Sequence, residues 1–272
     1  MLTRRRLIAS ATVIAVAGFG QHGGAQTART VRLTYRPPVA PTLREPVVVE
    51  LSLHNHLDEP VILSLGKNNI GNLQLALRKP DGESITSDPR QPKSAEEGYT
   101  NTPIVLQPQE QRTEHVLLDE WFGSLDAVGQ YHLTVTFIGT ARTVSGKDID
   151  VVRVGSVSLQ VSPFDPVVLR STCERLARIA RSTMDAREAR FAAKVLTYVR
   201  DRIAVEYLES LIERGKALEI YAVEVSAVNA LEAMGTDEAH NALARARYNS
   251  REVTAEKVNE ALLRMDLKRL RK

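Results

Sequence analysis

One cysteine, Cys173, stands in the whole chain. No intrachain disulfide can form, so stability has to come from packed cores even in an oxidising compartment. A Gly-x-Ser-x-Gly nucleophile elbow is missing, and the glycines of Gly66-Lys67-Asn68-Asn69-Ile70-Gly71 lack the spacing that cradles a phosphate. No apolar run approaches the length of about 20 residues that a membrane-spanning helix needs. Excess charge is also lacking. The formal net charge is +3, and Arg4, Arg5 and Arg6 at the very start account for it, which leaves the rest of the chain near zero. A nucleic-acid role thereby loses its electrostatic basis.

The first residues do carry a pattern. Met1-Leu2-Thr3-Arg4-Arg5-Arg6 is followed by an uncharged stretch from Leu7 to Gly20 and then by Gly23-Gly24-Ala25. A basic start, a short apolar core and small residues at the end make up a secretory signal. Residues 1–25 are expected to be removed after Ala25, with Ala28 as the alternative cleavage point. Thr3-Arg4-Arg5-Arg6-Leu7-Ile8 also resembles a twin-arginine export signal, and a plain Sec-type start fits the same residues. No Cys follows the apolar core, which argues against a lipid anchor. The expected location is periplasmic or secreted, with no transmembrane segment after cleavage.

Residues 30–163 alternate apolar and polar side chains, the period of strands with one buried face. The series is Val31, Leu33, Tyr35; Val47, Val49, Leu51, Leu53; Leu73, Leu75, Leu77; Tyr131, Leu133, Val135, Phe137; and Val157, Leu159, Val161. Lys79-Pro80-Asp81-Gly82 suits a tight turn. Short strands without intervening helices favour an antiparallel sandwich. The stretch from Ser84 to Thr102, rich in Ser, Pro, Gln and Glu, reads as a long polar loop.

Within this half, Leu125-Asp126-Ala127-Val128-Gly129-Gln130-Tyr131-His132-Leu133 places a glycine two residues before a tyrosine at the start of an inward-alternating strand. The stretch resembles the tyrosine corner of immunoglobulin-like domains. Ile104-Val105-Leu106-Gln107-Pro108-Gln109-Glu110 resembles the turn that precedes the partner strand in bacterial members of that class. The resemblance implies an immunoglobulin-like β-sandwich. An antibody-type domain is excluded, because there is no disulfide pair and Trp121 lies just before the Tyr131 strand.

At Ser162-Pro163-Phe164-Asp165-Pro166 the period changes. Residues 165–272 are expected to be helical, with Asp165 capping a first helix that has Pro166 at its first position. Leu169, Cys173, Leu176 and Ala180 share its inner face. A second helix opens at Asp185, with Ala192, Val195, Leu196 and Val199 inward. A third carries Ile203, Leu208, Leu211 and Ile212 towards a C-cap at Gly215. A fourth carries Ile220, Val223, Ala227, Leu231 and Met234, stopping at Gly235. A fifth opens at Thr236 or Asp237, with Ala239, Ala242, Leu243 and Ala246 inward. A sixth opens at Ser250 or Thr254, with Val258, Leu262 and Met265.

A shift of about 35 residues, typical of helical-hairpin repeats, lays Ala192 on Ala227, Leu196 on Leu231, Ala204 on Ala239 and Leu208 on Leu243. The segment from Ala227 to Ala239, with Leu243 beyond it, resembles a HEAT-like repeat, which implies a repeat array. A compact bundle with coincidental alanines is the alternative. The fold class expected is therefore multi-domain, an all-β immunoglobulin-like sandwich followed by an all-α HEAT-like array.

Candidate chemistry is sparse. His54 and His56, two apart, can project from one strand face and, with His132 or His115, make a zinc site, although alternation leaves them on the wet face. Cys173 sits among leucines, where a structural thiol is expected. Asp119 and Glu120 before Trp121 and Phe122 suggest an acid beside an aromatic platform, but adjacent residues point apart. Asp148 and Asp150 supply too few ligands for calcium. The tail Lys268-Arg269-Leu270-Arg271-Lys272 suits a helix C-terminus. On the second helices of the repeats, Arg202, Glu206, Glu209, Glu213, Asn241 and Arg245 lie where solenoids commonly line an inner face.

The expectation is a protein-binding or scaffold role without enzyme chemistry, cofactor or metal, with those six residues as the candidate partner surface. A sandwich that presents the Ser84 to Thr102 loop as an inhibitor or ligand module is one alternative. A metal-dependent enzyme built on His54 and His56 is the other.

Overall fold

The computed structural model describes residues 31–36, 40–64, 72–86, 103–149, 151–152, 157–213 and 221–270. The leader, Gly66 to Gly71, Asp150, Gly215 and Ile220 lie outside them, and so do the expectations placed there. The described residues fall into a β region followed by a helical region.

The first contains β1 (Val31–Arg36), β2 (Val48–Asn55), β3 (Val61–Leu63), β4 (Leu73–Arg78), β5 (Ser84–Thr86), β6 (Ile104–Leu106), β7 (Gln111–Leu117), a short helix α1 (Leu118–Phe122), β8 (Gly129–Phe137), β9 (Ala141–Thr143), β10 (Val151–Val152) and β11 (Val157–Val161). They pair as β10-β1-β2-β7, β11-β8-β4-β5 and β6-β3-β9. Every pairing is antiparallel except β1 with β10.

Alternation carries the core as the sequence requires. Val49, Leu51 and Leu53 of β2 are buried with Leu73, Leu75 and Leu77 of β4, and with Tyr131, Leu133, Val135 and Phe137 of β8. Register reinforces this, because Leu77 lies opposite Leu133, Leu75 opposite Val135 and Leu73 opposite Phe137. Such cross-strand apolar pairs are the unit of sheet stability.

Two sequence expectations change here. Ser84 to Thr102 is not a loop throughout: Ser84–Thr86 pairs with Ala76 to Arg78, since the Pro80-Asp81-Gly82 turn returns the chain along β4. Ile104 to Glu110 is not all turn either. Ile104–Leu106 is a strand paired with β3, and the turn is confined to Gln107 to Glu110, where Gln109 takes φ +61. The strand that follows, β7, does pair with β2.

Tyr131 is fully buried, and its hydroxyl is tied to the backbone four residues upstream. It donates to the carbonyl of Ala127 at 3.0 Å and accepts the N–H of Ala127 at 3.0 Å. Gly129 between them adopts φ +137, and a Cβ there would stand 2.9 Å from the Pro80 ring. No other residue meets both demands.

The helical region begins where Asp165 accepts the N–H groups of Val167 and Val168, with Pro166 at the first position of α2 (Pro166–Ser182). Asp185 caps α3 (Ala186–Thr197) in the same way. Asp201 caps a single 3-10 turn, Arg202–Ala204, that leads into α4 (Val205–Ile212). Then come α5 (Tyr221–Met234), α6 (Asp237–Asn249) and α7 (Glu252–Leu270).

Gly235 takes φ +64 after α5, and Thr236, not Asp237, caps α6 by accepting the N–H of Ala239. The last helix opens at Glu252, after Ser250 and before Thr254. The carbonyl of Arg251 receives the N–H groups of Thr254 and Ala255, and the Thr254 hydroxyl is spent on the buried Glu224 carboxylate of α5.

Helices pair in sequence, α2 with α3, α4 with α5 and α6 with α7. They also line up in two rows, α2-α4-α6 and α3-α5-α7. Buried alanines at the crossings, among them Ala192, Ala227, Ala239 and Ala242, permit the close approach. The two regions have separate cores that meet along one seam. Leu117 of β7 and half-buried Val48 of β2 pack into the helical core, not the sheet core.

Candidate functional site

The densest collection of buried charge lies on that seam. β7 is the edge strand of its sheet, and an unpaired edge has to be covered or charged to avoid adventitious pairing. Helix α3 covers it. Arg187, Phe191 and Lys194 fall at i, i+4 and i+7, on one helix face. Arg187 pairs with the Glu114 carboxylate, the Phe191 ring lies 5.2 Å from that of His115, and Lys194 reaches the Glu120 carboxylate at 2.8 Å.

Glu114 and Glu120 are both buried, and Glu114 is also held by Arg112 at 2.8 Å. Removing the partner of a buried charge costs far more than an exposed pair contributes. The seam is therefore specified by charge as well as by Leu117.

A second line of contacts anchors the start of the helical region. The Arg44 guanidinium lies 2.8 Å from Asp201 and sits over the Phe164 ring at 4.7 Å. The Thr172 hydroxyl donates to Glu45, whose other oxygen accepts the N–H of Thr42. Arg44 adopts φ +69, a left-handed conformation that a non-glycine residue takes at a cost of about 1 kcal/mol or more. Its two seam partners offset that cost.

Asp119 and Glu120 do not form a catalytic carboxylate pair. Both sit in α1, which joins β7 to β8, and they serve different neighbours. Asp119 turns to the sheet and accepts the N–H of Val47 at 2.8 Å, while Glu120 turns to α3. Burial pushes the Asp119 carboxyl up to about 6, against the lowering effect of its backbone donors and of Arg200. Trp121 and Phe122 pack against the sheet core.

The six residues proposed from sequence as a partner surface are partly engaged with one another and with neighbours. Glu209 of α4 binds Arg245 of α6 through two hydrogen bonds, at 2.7 and 2.8 Å, and Glu213 adds to the field that holds Arg245 charged. Glu206 pairs with Arg170 of α2 at 3.2 Å. Asn241 is exposed on α6, and Arg202 is exposed on the 3-10 turn that leads into α4. Both ion pairs join residues 36 apart, so they tie consecutive hairpins together. The row is an exposed, charged surface crossing three helices.

The histidines do not converge. The His54 and His56 rings lie 3.9 Å apart at the end of β2, but His115 packs on Phe191, and His132 lies in the other large sheet, beside Ser158 at 3.1 Å. Among the described residues no three His, Cys, Asp or Glu side chains gather as metal ligands. The Cys173 thiol is buried in the helical core, and burial pushes it up to about 12, so it stays protonated and unreactive.

A Ser-x-x-Lys spacing that the sequence reading passed over exists at Ser64 and Lys67. Lys67 lies outside the described residues. Ser64 follows β3, and its carbonyl accepts the Asn72 side-chain amide.

The seam residues Glu114, Arg187 and Lys194 escaped the sequence reading, and Glu120 was singled out there for a different role. Their partners lie more than 70 positions away. The only local signal was the i, i+4, i+7 arrangement of Arg187, Phe191 and Lys194 on α3.

No family model matches the chain, and no curated protein is similar to it. Among solved structures, a β-glucosidase from Listeria innocua is 13% identical over 48% of this chain and 16% of its own, with a TM-score of 0.25. The alkylpurine DNA glycosylase AlkC of Pseudomonas fluorescens is 12% identical over 48% of this chain and 29% of its own, with a TM-score of 0.26. A CARDB domain from Pyrococcus furiosus, solved with di-metal ions, is 12% identical over 49% of this chain and 86% of its own, with a TM-score of 0.24. The chain thus spans less than a third of the first two, and at these scores none of the three carries an argument about function.

Proposed function

We propose that the chain is an exported, non-catalytic scaffold or binding protein, in which an immunoglobulin-like sandwich holds a HEAT-like helical array and the array's α2-α4-α6 row binds a protein partner. The sandwich part of this reading draws on strand order. β2 pairs with β7 in one sheet, β11-β8-β4-β5 form the other, and Tyr131 ties its strand back to Ala127. Two such sheets and a tyrosine tied back upstream are expected of the class and support the reading. The array part draws on the two rows of helices and on ion pairs that recur at one repeat's spacing. Export rests on the leader residues.

The observation that carries the functional reading is the seam. Buried acids that an enzyme would spend on chemistry are spent here on fixing α3 to β7, so the array is held as a platform and not tethered by a loose linker. Fold alone does not assign activity, and a fixed charged platform is what this geometry offers a partner.

The test is a quantitative pull-down from envelope extract with the chain from Gln26 onward, run beside a variant carrying Arg202→Glu and Asn241→Arg. Both changes are exposed and leave the seam intact. A protein retained in stoichiometric amount by the wild type and reduced at least about tenfold by the variant supports the proposal, since roughly 1.4 kcal/mol of lost affinity suffices for that. Retention of no specific protein, or equal retention by both, overturns it.

A further inference from the structure

The helical half repeats with a step of 35 residues, so equivalent positions in its three hairpins can be compared. Ala193 of α3 and Val228 of α5 are each 1% exposed, because the following hairpin lies on them; their counterpart on α7, Leu263, is 62% exposed. Glu232 of α5 is occupied by Arg264 of α7, and its counterpart Leu267 is 46% exposed. On the other row the counterpart of Glu213 is Tyr248, 80% exposed. Counterparts of positions that a neighbour occupies are thus apolar in the third hairpin and largely exposed, with the Arg247 guanidinium 5.8 Å from the centre of the Tyr248 ring. An exposed run of apolar side chains on one helix face is the mark of an interaction surface.

Charge along α7 indicates what fits there. Its first half carries Glu252, Glu256 and Glu260 against Lys257, and its second half Arg264, Lys268 and Arg269 against Asp266, with Arg271 and Lys272 next in sequence; within the chain Glu260 is paired with Lys257 and Arg269 with Asp237. A second α7 laid antiparallel sets the acidic half of one helix against the basic half of the other. Two-fold symmetry requires that kind of self-complementarity. Lys268 is free to take part, being only loosely held at 3.8 Å from Glu232.

We infer that the exposed face of α7 is a self-association surface, through which two copies of the chain meet by antiparallel contact of α7, centred on Leu263 and Leu267. α7 has 19 residues, about 28 Å at 1.5 Å per residue, so with α6 beside it the face measures on the order of 500 Å², below the roughly 800 Å² per partner of a stable interface. The dimer is therefore expected to be weak. The inference rests on the repeat reading of the helical half and on nothing about the partner of the α2-α4-α6 row.

Sedimentation velocity of the chain from Gln26 onward, from about 1 to 200 µM, tests it, with that range set by the small interface. The wild type is expected to pass from monomer to dimer. Leu263→Glu with Leu267→Glu is expected to stay monomeric throughout, with an unchanged circular-dichroism spectrum and melt. Glu256→Lys with Glu260→Lys, which keeps the leucines but opposes like charges, is expected to weaken association about tenfold.

A wild type that stays monomeric, a dimer that survives loss of both leucines, or growth beyond the dimer into open chains would overturn the inference. A monomer would leave the pull-down result untouched, so the two readings fail separately.

Discussion

Asp119 offers a quantitative test of how the turn after β7 is held to the sheet. Burial raises its carboxyl from 3.8 to about 6, so the folded chain keeps a proton that the unfolded chain releases between those values. The stability this group contributes is full below about pH 4 and is lost as the pH rises through 6, the reverse of an ordinary salt-bridged acid. At about 1.4 kcal/mol per unit, the charged form costs on the order of 3 kcal/mol at neutral pH.

Asp119→Asn removes that cost and keeps a carbonyl for the Val47 N–H, but forfeits an acceptor worth about 1 kcal/mol. The variant should therefore be more stable than wild type by roughly 2 kcal/mol at pH 7.5, and about equal to it at pH 4.5. Urea unfolding of the chain from Gln26 onward, followed by far-ultraviolet circular dichroism, reads this as a midpoint shift of roughly 0.5–1 M at pH 7.5. Equal midpoints at pH 7.5, or a gap that persists at pH 4.5, would refute the reasoning that desolvation dominates at this site.

Other consequences follow from single contacts. Tyr131→Phe should cost about 1–2 kcal/mol in the same assay, since both its bonds to Ala127 vanish; a neutral result would mean that the corner does not fix the strand. Gly129→Ala should cost at least about 2 kcal/mol, combining positive-φ strain with contact on Pro80. The Cys173 thiol should resist alkylation at pH 8 in the native chain and react at once in denaturant; fast native labelling would contradict its burial.

Sequence periodicity reached most of the frame because each signal was local. Val49, Leu51 and Leu53 alternate over one strand, and Asp165, Asp185 and Thr236 cap helices within three residues of the groups they serve. The three-residue strands β3, β6 and β9 are too short to display a period. β7, expected only from the turn before it, lacked a clear period for a different reason: Glu114 occupies an alternating position where an apolar residue would have announced a strand, and its charge is satisfied from α3.

The candidate surface was legible only in part. Helical spacing gathered Glu209 and Arg245, but their pairing, and that of Glu206 with Arg170, needed the repeat step applied to charges as well as to alanines. The exposed Leu263 and Leu267 fall outside the inward set Val258, Leu262 and Met265, and nothing in one helix's sequence says what lies beside it.

A scaffold that presents a fixed surface requires sheets and helices to melt as one body. Differential scanning calorimetry of the chain from Gln26 onward measures this directly. One cooperative transition is predicted for the wild type, separating into two when Glu114→Gln and Lys194→Ala are combined to strip the α3 contacts. Two transitions already present in the wild type would contradict the account.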